Sequence, residues 1–227
     1  KTQADIANTR ATTGKTLQEI ENLKKNPPKT GFEKSVEATQ GKAFAETQNN
    51  AIKVDDQIAQ LDDAYKSLID FSKSSPGGTG PIANIFGVKR LTESGQRLEA
   101  KFKAIDIKNM AQTFQGMSKA VDSETERRAW SATQPSLSND DVVNAEILLG
   151  SKAIALKAKE EAAAQSAYVS THQNLNGYES PILGKTSALV SESGEIKIVP
   201  TAHVNDFLKS GYMKIDDYAN TKIRGAS

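Results

Sequence analysis

Few residues of this chain have the type and spacing that chemistry requires. Thr12-Thr13-Gly14-Lys15-Thr16 ends like a phosphate-binding loop, but such a loop needs a glycine at position 9, where Thr9 stands. It also follows a helical pattern, not a strand. Gly77-Gly78-Thr79-Gly80 has the glycine density of a dinucleotide fingerprint, but Pro81 intrudes and Ala83 stands where the third glycine belongs. Asp pairs occur at 55–56, 62–63, 140–141 and 216–217. Neighbours on a helix point about 100° apart, so such pairs do not converge on one cation. The only histidines are His172 and His203, and no Gly-x-Ser-x-Gly elbow offers them a nucleophile. Glu124 and Glu146 lie on predicted helices, without the aromatic cleft that a glycosidase builds around paired carboxylates. Cysteine is absent, which excludes disulfides, thiolate metal sites and a thiol nucleophile. The expectation is a protein without catalysis, metal or cofactor.

Charge gives little more. Lys and Arg number 29 against 28 Asp and Glu. A net charge of +1 argues against bulk electrostatic binding of nucleic acid or an anionic membrane. One local excess stands out over 86–108, where Lys89, Arg90, Arg97, Lys101, Lys103 and Lys108 face only Glu93, Glu99 and Asp106. Lys89, Arg90, Arg97 and Lys101 are the candidate DNA contacts. No apolar run approaches the ~18 residues of a membrane span. Lys1 opens the chain with no signal-type apolar region behind it, so the chain reads as a processed product or the ordered part of something longer.

The elements that must position these residues are helical. Aromatic residues make up 6% and hydrophobic residues 37%, which suits elongated helices that each bury one stripe. Ile6, Arg10, Thr13, Leu17 and Ile20 outline a marginal helix over about 2–25, ended by Pro27-Pro28. Ala51, Val54, Ile58, Leu61, Tyr65 and Leu68 recur at alternating spacings of three and four, a heptad seam on a long helix over about 32–73. Val54, Ile58, Leu61, Tyr65 and Leu68 are the candidate oligomer interface, with intrachain packing as the alternative. Pro and Gly over 74–81 break the helix and predict a linker.

Leu91, Leu98 and Phe102 make the next stripe, followed by Ile107, Met110, Phe114, Met117 and Val121. Ser123 and Glu126 form a capping box, with Trp130 beyond it. Ser138 or Asn139 then caps a helix predicted to run to about Leu175, through an Ala-rich stretch, with Gly177 as its stop. After that, Glu195–Val199 alternates like a strand, Val204–Lys209 suggests one or two helical turns, and Tyr212 and Ile215 stand isolated. The predicted fold is mainly α: helical hairpins or a bundle with a coiled-coil segment over 1–73, a linker at 74–81, a helical module over 82–177, and an extended, mostly irregular arm over 178–227.

The order Gly80-Pro81, Gly95-Gln-Arg-Leu-Glu-Ala, Phe114-Gln-Gly-Met-Ser-Lys-Ala-Val-Asp-Ser-Glu-Thr-Glu, Pro135–Leu148 and Tyr178-Glu179 resembles an all-helical module of tailed-bacteriophage virion proteins, among them DNA-transfer (ejection) proteins. The resemblance covers under half of the chain, and its motifs concern packing and capping. It implies a non-enzymatic virion protein that helps deliver DNA by oligomeric assembly at the head-tail channel. The implied partners are further copies, portal or tail components, DNA transiently, and the host envelope after ejection. The alternatives are a static head, connector or tail component, the non-catalytic part of a larger virion protein bearing a cell-wall hydrolase, and an unrelated bacterial coiled-coil adaptor.

Overall fold

The computed structural model describes residues 31–74, 92–105 and 134–225, with side chains from 38 onward except at 43. Two compact units divide the chain, 1–43 and 44–227. Only the helical residues 31–43 of the first are described, and the packing below is that of the second. The predicted helix over 2–25, all of the 74–81 linker but Ser74, the 106–121 stripe, the Ser123 capping box and Trp130 lie outside the described residues.

The described residues are mainly helical, as the periodicity predicts. Helix α1 spans Gly31–Ser74, 44 residues without an internal proline. Its seam buries Val54, Leu61, Ala64, Leu68 and Phe71, with Ile58, Tyr65 and Ile69 half-buried beside them. Helix α2 spans Glu93–Ala104; the Thr92 hydroxyl caps it by accepting from Gly95 N at 3.1 Å. Leu98 and Phe102, four residues apart on one face, are both buried.

Helix α3 spans Asp141–His172. Its cap is Asp140, which accepts from Val142 N at 2.8 Å, where the sequence suggested Ser138 or Asn139. Asn144 ties the preceding loop down, accepting from Ser136 N at 2.9 Å and donating to Ser136 O at 2.8 Å. The helix ends at Gln173, in the left-handed region at φ 60°, before the predicted Gly177. Residues 144–151 are buried on every side, which makes α3 the central helix of the core.

The predicted extended arm is not extended. Strand β1 (Thr186–Val190) pairs antiparallel with β2 (Ile196–Pro200), with Thr186 opposite Pro200 and Val190 opposite Ile196. Gly194, at φ 90°, makes the turn. Val190 also exchanges both backbone hydrogen bonds with Met213 at 2.8 Å. Short helix α4 (Val204–Lys209) leads to α5 (Ile215–Arg224). In α5, Ile215, Tyr218, Ala219 and Ile223 fall on one face and are buried. Both β2 and α5 pack on α3. Each piece is too short for a strong periodic signal, yet together they close one side of the core. That core is a single cluster drawn from 54–71, 98–105, 137–158 and 188–223.

Candidate functional site

The seam is where the sequence placed an interface, and the structure places it inside the chain. Val54 and Leu68 are 0% exposed in a single copy, and Ile58 and Tyr65 lean on the same core. The cover is α3. Asp55 pairs with Lys159 at 2.6 Å and Asp62 with Lys152 at 2.5 Å, and Gln48 Nε2 donates to Ala162 O at 2.9 Å. Numbers rise on one helix as they fall on the other, so α1 and α3 are antiparallel. The carboxylates and the lysines each recur at seven residues, flanking the apolar contact on both helices. Of the candidate oligomer interface, Val54, Leu61 and Leu68 are thus buried within one copy, and Ile58 and Tyr65 are half-buried against the same core. The first half of α3 is likewise consumed by the core.

Tyr65 extends this closure to the end of the chain. Its hydroxyl neighbours that of Tyr218 on α5; burial first, and then Tyr218, push its pKa well above the ordinary 10.0. Tyr218 is also raised by burial, and its hydroxyl lies directly against the Gly194 turn.

Of the candidate DNA contacts, Lys89 and Arg90 lie outside the described residues. Lys101 is engaged internally: its Nζ donates to Asp63 at 2.7 Å and to Ser67 Oγ at 2.8 Å, joining α2 to α1. Arg97 pairs with Glu93 on its own exposed helix face. The local excess of base is thus partly neutralised where it is described. Between α1 and α2 lies a shallow groove of about 500 Å³, with Phe71 and Leu98 at its floor and Asp70, Glu93, Arg97 and Lys101 around it. Its two acids and two bases balance, so it offers no preference for an ion of either sign.

The most constructed polar site was not singled out from sequence. Lys157 is 0% exposed and Glu161 is 2% exposed, one turn apart in the Ala-rich part of α3. Glu161 accepts from Tyr178 Oη at 3.0 Å, Ser180 Oγ at 2.5 Å and Gln165 Nε2 at 3.0 Å. Lys157 Nζ donates to Thr186 O at 2.9 Å. Burial, and then the Glu161 charge, raise the Tyr178 pKa well above its usual range. Burial also raises Glu160, opposed by the Lys157 cation. The sequence signal is two opposite charges four apart in an Ala-rich stretch, which by itself also describes a solvated helix face.

Neither histidine bonds Lys157 or Glu161, although Tyr168, on which His172 stacks, meets Tyr178 edge-on at 5.3 Å. His172 stacks on Tyr168 at 4.0 Å between ring centres, and exposed His203 lies 3.5 Å from Asp206. Glu146 is buried in α3, and Glu124 lies outside the described residues. Among the described residues no three His, Asp or Glu side chains are grouped to hold a metal, and no helix is long and apolar enough to cross a membrane. Comparison with protein-family models, curated proteins and solved structures finds no match.

Proposed function

We propose that this chain is a non-catalytic virion protein of a tailed bacteriophage that assists DNA delivery by assembling with other virion proteins. The observation that carries the reading is the pattern across 80–180. Where its residues are described, they serve packing and capping: Gly95 and Leu98 are buried, Asp140 caps α3, and Tyr178 is bonded to Glu161. Such residues build a scaffold that presents surfaces, and in this reading the chain acts by contact. Portal or tail components, further copies, transient DNA and, after ejection, the host envelope are the partners of this reading. Because the heptad seam is closed within one chain, the contacts with them lie on other surfaces.

Quantitative mass spectrometry of purified virions, before and after triggered DNA release, tests the reading. Peptides from 44–175 are expected in the intact particle and depleted from the emptied one. Their full retention would make the chain a fixed head, connector or tail part, and their absence from both particles would end the virion reading.

A further inference from the structure

The connection between α3 and the hairpin, residues 178–186, is a strap held at both ends by one face of α3. Tyr178 and Ser180 at its start bond Glu161, and Thr186 at its end accepts from Lys157. The strap is braced internally as well: Ser180 Oγ accepts from Ile182 N at 3.1 Å and Leu183 N at 2.8 Å, and Thr186 Oγ1 donates to Ile182 O at 2.9 Å. Its two anchors are among the few charged side chains fully enclosed by the described fold.

Apolar burial is non-directional, so by itself it selects weakly between seatings one helical turn, about 5.4 Å, apart. Hydrogen bonds to enclosed charges are directional, and a slip would break the bonds of Tyr178 and Ser180 to Glu161 and of Lys157 to Thr186 O.

We propose that Lys157 and Glu161 are a two-point register pin that selects one seating of residues 178–225 along α3. They set where the lobe docks, while the apolar core sets how strongly. This rests on the geometry alone and stands whether or not the chain serves DNA delivery.

The test is hydrogen exchange together with amide NMR of the whole chain. Tyr178→Phe/Ser180→Ala leaves the helix untouched and removes both of the strap's bonds to Glu161, together with those of Ile182 N and Leu183 N to Ser180 Oγ. Amides of 186–200 should then exchange about tenfold faster or more, while those of 142–155 stay unchanged; unaltered exchange at 186–200 overturns the proposal. Lys157→Met/Glu161→Leu removes both charges and keeps the apolar bulk. It should stay folded, with a denaturant midpoint at or above that of the parent, and give more than one set of resonances for 178–225. A single set at the parent positions overturns the pin. Failure of this variant to fold overturns it too, because the pair would then supply stability and not register.

Discussion

Lys152 Nζ stands 2.5 Å from Asp62 Oδ1, and seven residues away on each helix Lys159 Nζ stands 2.6 Å from Asp55 Oδ1. This repeated pairing fixes α1 and α3 as antiparallel neighbours and closes the apolar seam between them. The acids are half or more exposed, so each pair is worth about 0.5 kcal/mol. Asp62→Lys should destabilise by about 1 kcal/mol through like charges, and adding Lys152→Asp should recover most of that loss. A double-mutant cycle in urea reads the coupling; no recovery in the reversed pair would separate these charges from the packing.

The seam itself makes a stronger prediction. Leu61 is 1% exposed within one chain. Leu61→Asp places a carboxylate in the core without a partner and should cost about 4 kcal/mol or more, enough to abolish cooperative folding of the monomer. Circular dichroism of dilute protein checks this. A variant that keeps the parent melting curve and loses only self-association would restore the seam as an interface.

Gly194 and Tyr218 form a second coupled pair. A Cβ at Gly194 would come within 2.6 Å of the Tyr218 hydroxyl, on a backbone at φ 90°. Gly194→Ala should therefore destabilise by about 1–3 kcal/mol, from left-handed strain together with the clash. In a Tyr218→Phe background the clash is relieved and the strain remains, so the cost should shrink without vanishing. Equal costs in both backgrounds would remove the hydroxyl from the explanation.

Tyrosine ionisation gives a pH signature. Burial holds the Tyr65, Tyr178 and Tyr218 phenols in their neutral form above the ordinary 10.0. The folded pKa is raised, so the stabilisation is fully present below the unfolded value and is lost as pH rises through and beyond it. Stability should fall above about pH 10, and tyrosinate absorbance should appear together with unfolding. Tyr65→Phe should flatten the alkaline decline. Ordinary titration of all five tyrosines in the folded protein would contradict this.

Sequence legibility followed element length. Helix α1, predicted over about 32–73, is found at Gly31–Ser74, because many heptad positions repeat one message. The Leu98 and Phe102 stripe likewise became a helix face. The alternation of Glu195–Val199 predicts a strand and nearly matches β2, but its partner Thr186–Val190 lacks alternation because Ala188, Leu189 and Val190 are all buried. Ile215 looked isolated because its helix carries only a few apolar residues. The heptad pattern revealed that the seam is buried but not by which chain. Only the positions of Lys152 and Lys159 on α3 answer that, and they are remote in sequence. Lys157 and Glu161 were hidden for the opposite reason: charged residues read as solvated until the strap is seen to cover them.

One copy of the chain closes its own seam. Hydrogen exchange of the free protein across a hundredfold dilution tests it most directly. Amides of 54–68 and 142–158 should keep the same protection at every concentration, as a unimolecular core requires. Protection that falls with dilution, in step with dissociation seen by sedimentation, would show that a second chain covers the seam and would contradict the account.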